Sequence, residues 1–263
     1  MKKIIIVEHR AKELANCLWN DLSITAFGMS TGVHVINTTL LEHIRFWRYP
    51  HMFYARLVDV ATRKTCGIWT TGTPKFLPPT ALPPKKFETC NTLYFFGWLF
   101  RNPVGLERYR DKLLKLFGPH KRMRRIIDAI LAPLTGRVLI GLHLKLEPFQ
   151  GFENGEFLVS PARVQEVVDE YLFEHHLKRE DVALIEVSDR GEQKDDLIGL
   201  HLLSKCSVVI GDNSTFSNLA AWFGNVPHIV ATDEPIDWAY YEDKKQYFEN
   251  KYATFTHGSL VYP

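Results

Sequence analysis

The chain has few cysteines and no long apolar run, and these two shortages exclude several classes of protein. It has 4 cysteines in 263 residues, and none of them belongs to a Cys-x-x-Cys pair. Isolated thiols are typical of a reducing compartment and argue against a disulfide-stapled secreted domain. No apolar stretch approaches the length of about 20 residues that a membrane-spanning helix needs. We therefore expect a cytoplasmic globular protein without a transmembrane segment.

The chain also lacks an excess of charge of either sign. It has 32 Lys and Arg against 30 Asp and Glu, which gives a formal net charge of +2. That balance creates no overall field that would attract nucleic acid. Basic residues are concentrated locally at positions 120–125, just before a helical pattern. Peripheral contact with an anionic membrane is one interpretation of this segment, and a solvated face between two lobes is the other.

Apolar periodicity alternates between strand and helix along the chain. The apolar run at residues 4–7 ends at the charged residues 8–10, so we interpret it as a first strand and not as a signal peptide. An amphipathic helix is predicted over 11–29 and a second strand over 33–36. Further strands are predicted at 93–96, 137–144, 182–187, 207–210 and 226–230, and further helices at 106–116, 160–172, 197–205 and 216–223. This order is typical of an α/β fold with doubly wound parallel sheets.

The most informative segment is residues 208–217, which combine an apolar run with turn residues and hydroxyl groups. The pattern predicts a buried strand, a turn at Asp212 and Asn213, and a helix that starts near Ser214 and Thr215. A helix start at the carboxyl end of a strand offers unpaired N–H groups and a positive dipole end, which suit a phosphate. The alternative is that these residues form an ordinary helix cap that binds no ligand.

Polar residues follow three predicted strands of the second half. His143 and Lys145 end one strand, Asp189 follows the next, and the turn at 212–217 follows the third. Ligands of open parallel sheets bind beyond the carboxyl ends of the strands, so these groups are expected on one rim. A nucleotide diphosphate fits this set, with Lys145 neutralising charge and Asp189 accepting from a base or ribose. The alternatives are a core histidine at 143 and a turn cap at 189.

Three segments carry a resemblance to a known family: residues 140–145, 152–160 and 203–227. They resemble bacterial members of glycosyltransferase family 11, the alpha-1,2-fucosyltransferase-like proteins, and residues 14–16 are similar to a Leu-Gly-Asn element of that family. The resemblance implies a GT-B-like α/β fold, with two Rossmann-like lobes whose parallel sheets face each other across a cleft. We place an acceptor-side lobe at residues 1–125 and a nucleotide-sugar-binding lobe at residues 126–263.

The resemblance also implies roles for individual residues. The family's His-x-Arg-Arg-x-Asp pattern stands here at positions 143–148, where Lys145, Leu146 and Pro148 replace the first arginine, the second arginine and the aspartate. Lysine offers a point charge where arginine offers a planar fork. Expected catalytic residues are His143 and Glu147. The expected donor-binding residues are Asn16, Lys145, Asp189, Asn213, Ser214, Thr215 and Phe216.

The resemblance implies a glycosyltransferase, and because the sequence has no Asp-x-Asp triplet to hold a metal, we expect it to use no metal and no other cofactor. The reaction that the resemblance implies transfers fucose or a related sugar from a GDP-sugar to a hydroxyl of a glycan acceptor, with inversion. Candidates for the general base are Glu147, Glu153 and Asp212. Two alternatives stay open: a nucleotide- or glycan-binding protein of the same fold without turnover, and a transferase that uses a different nucleotide sugar.

Overall fold

The computed structural model of the chain describes residues 4–8, 14–37, 67–70, 92–96, 102–144, 159–188 and 196–243. The chain divides into two compact units, one formed by Met1–His120 with Lys251–Pro263 and the other by Lys121–Asn250. None of the helices within the described ranges combines the length and the apolar character needed to cross a bilayer.

The described part of the first unit contains a four-stranded parallel sheet in the order β2-β1-β4-β3. Its elements are β1 (Ile4–Glu8), α1 (Leu14–Thr31), β2 (His34–Asn37), β3 (Gly67–Thr70), β4 (Thr92–Phe96), α2 (Pro103–Arg108) and α3 (Arg110–Phe117). The strand, helix, strand start predicted from the sequence is confirmed. The short edge strand β3 was not predicted, and the Pro-rich stretch at 70–84 lies outside the described residues except for Thr70.

Two helices of the first unit differ from the sequence prediction. The expected amphipathic pattern of α1 is wrong, because apolar and polar residues alike are buried around the helix, including Asn20, Asp21 and Ser23. A helix that is buried all round shows no single apolar stripe. The helix predicted at 106–116 is two helices, separated at Tyr109, whose backbone angles of φ −109 and ψ 14 leave the α region.

Within its described residues, the second unit contains a second four-stranded parallel sheet, in the order β6-β5-β7-β8. Its elements are α4 (Lys121–Leu131), β5 (Val138–Leu144), α5 (Pro161–Glu174), β6 (Val182–Ser188), α6 (Asp196–Leu203), β7 (Val208–Gly211), α7 (Thr215–Gly224), β8 (His228–Val230) and α8 (Trp238–Asp243). All the strands and helices predicted here are confirmed. Ser160 caps α5 by accepting a 3.0 Å hydrogen bond from the Arg163 N–H, as serine before an N-terminal proline predicts.

The two faces of the second sheet pack against different helices. Side chains of one face, including Leu142 and Leu144, pack with α5 in the apolar core of the unit. On the other face, a Cβ atom at Gly141 would lie 2.9 Å from Leu203 and 3.1 Å from the Cys206 sulfur, so this face is covered closely by α6 and the residues after it. Because strand side chains alternate between faces, His143 shares the side of Gly141 and not the apolar core.

Candidate functional site

The second sheet has a topological switch point at the carboxyl end of β5. The chain passes from β5 to β6 on one side and then returns to place β7 on the other side. At such a point the two following loops diverge and leave a crevice, where ligands of doubly wound sheets bind. In the β5–β7 pair His143 lies opposite Gly211, so the end of the histidine strand meets the turn that follows β7.

Gly211 allows these two strand ends to approach closely. A Cβ atom at this position would overlap the backbone of His143, above all its carbonyl oxygen. The Asp212 N–H reaches the same carbonyl oxygen at 3.3 Å. The absence of a side chain at 211 therefore brings Asp212 directly beside His143, although the two residues are 69 positions apart in the chain.

His143 is held through one ring nitrogen. Its Nδ1 atom lies 2.8 Å from the Ser217 hydroxyl, 3.2 Å from the Ser214 hydroxyl and 3.2 Å from Oδ1 of Asp212. The Ser217 hydroxyl also donates to Oδ1 of Asp212 at 3.2 Å. Both His143 and Asp212 are buried, at 7% and 1% exposure. Nε2 of His143 has no hydrogen-bond partner among the described residues.

The start of α7 lies against this pair. Ser214 is the N-cap and accepts from the Ser217 N–H at 3.2 Å, while its hydroxyl also contacts His143. Phe216 stacks on the His143 ring, with centroids 4.7 Å apart and an angle of 20° between the planes. Oδ1 of Asn213 is buried and has no partner in the described part of the chain. The predicted helix start is thus confirmed, and the Ser214 hydroxyl faces the protein interior.

A second buried histidine supports the same turn from behind. Nε2 of His228 lies 3.2 Å from the carbonyl oxygen of Asp212, and its Nδ1 lies 3.1 Å from Oδ1 of Asn218. Nδ2 of Asn218 in turn donates to the Ser214 carbonyl oxygen at 2.9 Å. Burial lowers the pKa of His228 to about 4, against the opposing effect of the Asp212 carboxylate and carbonyl. His228 is therefore neutral at pH 7 in the free protein.

The remaining predicted site residues are not brought into this cluster by the described part of the structure. Lys145, Glu147 and Asp189 lie outside the described residues, so their roles stay predictions. Asn16 lies in α1, in the first unit, and its Oδ1 atom is buried without a partner among the described residues. Thr215 is half-buried at the first position of α7. The donor-binding roles of Asn16, Asn213, Ser214, Thr215 and Phe216 also remain predictions.

Sequence reasoning did not single out three residues of this cluster. Ser217 was part of the helix-start pattern, but its contact with His143 needs the strand register. Asn218 follows Ser214 by four positions, one helical turn, and this spacing is the signal that predicts a side-chain contact with the turn. His228 gave no signal, because its strand has only three residues and is too short for an alternating pattern to show which side chains are buried. Asp212, a candidate base for the acceptor, is 1% exposed, and its role as a base stays a prediction.

Solved structures of other proteins share the fold of this chain. No family model matches the sequence, and no curated protein matches it. Solved structures do match: a mutant of Arabidopsis thaliana FUT1 in complex with GDP has a TM-score of 0.57 at 12% identity, over 90% of this chain and 72% of that one. The alpha-1,6-fucosyltransferase NodZ of Bradyrhizobium, soaked with GDP-fucose, has a TM-score of 0.54 at 14% identity, over 86% and 94%.

POFUT1 in complex with GDP is a third similar structure, with a TM-score of 0.55 at 11% identity, over 87% of this chain and 98% of that one. All three similar structures are fucosyltransferases by name, and the match covers most of each chain. The chain therefore has the α/β fold of GT-B fucosyltransferases, with parallel sheets, as the sequence predicted. At 11% to 14% identity this likeness establishes the fold and leaves the activity to be argued from the site.

Proposed function

We propose that the protein transfers fucose, or a related sugar, from a GDP-sugar to a hydroxyl of a glycan acceptor, with inversion and without a metal ion. The observation that carries this proposal is the His143–Asp212 pair beside a helix start at the switch point. It occurs on a fold that the chain shares with structures of FUT1 and POFUT1 in complex with GDP and of NodZ soaked with GDP-fucose. The three sequence segments quoted above support a closer assignment to glycosyltransferase family 11.

In this reaction the acceptor oxygen bonds to the anomeric carbon while the bond from that carbon to the diphosphate breaks. The electron pair of the broken bond leaves with GDP, so negative charge grows on the diphosphate. The N–H groups at the start of α7 are oriented to stabilise such an anion. In this proposal Nε2 of His143 donates a further hydrogen bond to the leaving group, and the contacts of Nδ1 with Ser217 and Asp212 hold the ring in position.

Lys145, which follows His143 by two positions in the sequence, adds a positive charge to the diphosphate in this proposal. The proton of the acceptor hydroxyl passes to a general base. Glu147, Glu153 and Asp212 are the candidates for that base. Replacing Lys145 by alanine should weaken GDP binding by about 1.5 to 3 kcal/mol, the usual contribution of a charge-assisted hydrogen bond.

Ligand-dependent thermal unfolding tests the donor class. GDP-, UDP- and dTDP-sugars are compared by differential scanning fluorimetry. A ligand present at a hundred times its dissociation constant stabilises the folded state by about 2.7 kcal/mol. We expect GDP and GDP-fucose to raise the melting temperature and UDP and dTDP to leave it unchanged. Stabilisation by UDP- or dTDP-sugars alone would instead identify a transferase for another donor.

Turnover separates the transferase from a binding protein of the same fold. Release of GDP from GDP-fucose is measured with His143→Gln and with a matched control, His201→Gln, which removes another buried histidine of the same unit. We expect the first substitution to lower the rate by about 10² to 10³, the usual cost of removing one hydrogen-bond donor to a developing negative charge, and the control to keep it. GDP binding by the native protein without any sugar release would favour the binding protein.

A further inference from the structure

His228 is a buried histidine of the second unit whose ring contacts the turn before α7 and the first residues of that helix. It begins β8, is 2% exposed, and lies opposite Val209 of β7. Its two ring nitrogens face two fixed oxygens, the Asp212 carbonyl and Oδ1 of Asn218, at 3.2 and 3.1 Å. Through Asn218 the contacts continue to the Ser214 carbonyl. The chain of contacts therefore ties together both ends of the turn that precedes α7.

The number of protons on the His228 ring decides whether all three contacts, with Asp212, with Asn218 and from Asn218 to Ser214, can form. A neutral histidine carries one N–H, so it donates to one of the two oxygens and turns a lone pair towards the other. Exchanging the oxygen and nitrogen of the Asn218 amide would restore the contact with His228 and lose the contact with Ser214, because Oδ1 would then face the Ser214 carbonyl oxygen. A protonated histidine donates to Asp212 and Asn218 together, and all three contacts are then satisfied. The neutral form always leaves one of them unmade.

Two titratable groups face His228 in the described structure, the Asp212 carboxylate and the His143 imidazole. Burial lowers the pKa of His228 to about 4, the Asp212 carboxylate and carbonyl oppose that effect, and His143 adds to it. The free protein at pH 7 therefore holds the neutral form, with one contact of the turn unmade. An anion bound at the start of α7 adds negative charge next to this turn and favours the protonated form.

We infer that His228 is a positioning residue that binds a proton together with the anionic ligand at the start of α7, so that nucleotide diphosphate and proton bind cooperatively. The inference rests on the proposed function, since it takes the diphosphate as the ligand of this turn. Protonation completes the contacts that fix the Asp212 and Ser214 carbonyls, and it places a buried positive charge behind the anion. By linkage, the ligand raises the proton affinity of His228 as much as the proton raises the ligand affinity.

Isothermal titration calorimetry with GDP tests this inference. Proton uptake is obtained by repeating each titration, between about pH 5 and pH 7, in two buffers of different ionisation enthalpy. The native protein is compared with His228→Gln, which keeps a polar side chain that does not titrate, and with the matched control His201→Gln. The terminal phosphate of GDP also titrates near pH 6, and its contribution cancels in the comparison.

On binding GDP, the native protein and His201→Gln should each take up more protons than His228→Gln, by as much as one proton. As the pH rises, the affinity of the native protein for GDP should fall more steeply than that of His228→Gln, by up to about tenfold more for each pH unit. Equal proton uptake in the native protein and in His228→Gln, with GDP still bound, would overturn the inference alone. Failure of the native protein to bind GDP would overturn the proposed function and the inference with it.

A second measurement serves if His228→Gln does not fold. The native protein is labelled with ¹⁵N in its histidine rings, and the ring of His228 is identified by its slowly exchanging N–H signals. We expect the ring to be neutral at pH 6 without ligand and to gain a second N–H signal when GDP is added. A ring that stays neutral in the GDP complex at pH 6 contradicts the inference.

Discussion

We expect the protein to lose stability below about pH 6.5 through a histidine that lies outside the proposed site. His201 lies in α6, is 2% exposed, and meets the Phe223 ring edge-on at 5.3 Å. Its Nε2 atom is buried and has no hydrogen-bond partner among the described residues. Burial, together with the nearby charge of Lys205, lowers the pKa of His201 from 6.5 to about 3. The ring is therefore neutral when folded and takes up a proton when the chain unfolds.

The sign and size of the effect follow from proton linkage. Below pH 6.5 the unfolded chain binds the proton and the folded chain does not, so the free energy of unfolding falls as the pH falls, down to about pH 3. Each pH unit in this window removes about 1.4 kcal/mol, so a change to pH 5 removes about 2 kcal/mol. His228, whose pKa is lowered to about 4, acts in the same direction between pH 6.5 and 4.

Urea denaturation at about pH 7 and pH 5, followed by tryptophan fluorescence, measures this loss. In His201→Leu the titrating group is gone, and the variant should lose about 2 kcal/mol less than the native protein between the two pH values. Its stability at pH 7 should stay within about 1.5 kcal/mol of native, because an apolar side chain suits a site with an unsatisfied polar atom.

The matched control is His176→Asn, which removes an exposed histidine whose positive φ of 53° asparagine also adopts. This variant should keep the full pH dependence of the native protein. If the native protein and His201→Leu lose equal stability between pH 7 and pH 5, His201 does not remain neutral in the folded state, and the reasoning from burial is refuted.

Three further predictions concern other parts of the second unit. Gly211→Ala should lower the free energy of unfolding by about 3 kcal/mol or more and abolish GDP binding, because the new methyl group overlaps the His143 backbone; native-like denaturation would contradict this. Ser160→Ala should lower it by about 1 kcal/mol through loss of the hydrogen bond from the Arg163 N–H, with no change in GDP affinity. Burial raises the pKa of the Cys206 thiol to about 12, so iodoacetamide should label Cys206 in urea and not in the folded protein at pH 8.

The sequence predicts the elements of the second unit well because most of them carry strong local signals. β5 and β7 are apolar runs, Ser160 and Pro161 mark the start of α5, and Asn225 ends α7 in the left-handed conformation with φ 56°. Caps and buried strands are set by nearby residues, so they can be predicted without knowledge of the partner elements.

The predictions that failed depend on contacts between distant residues. β3 has four residues, and its pairing with β4 decides that it is a strand. The burial of Asp21 and Asn20 in α1 is likewise invisible to periodicity, which counts apolar residues only. In the candidate site, the partners of His228 are 10 and 16 positions away in the chain. Such contacts exist only once β7 and β8 are paired.

The His143–Asp212 pair shows how such a site arises from strand register. Alternation along β5 places His143 on the face opposite the α5 core, and the pairing with β7 sets Gly211 level with it. Asp212 is then the first residue beyond the paired strand that reaches the histidine ring. A slip of β7 by one residue would move every side chain to the other face of the sheet. The apolar residues of β7 hold the register through the core, so core packing and the geometry of the proposed active site are fixed by the same pairing.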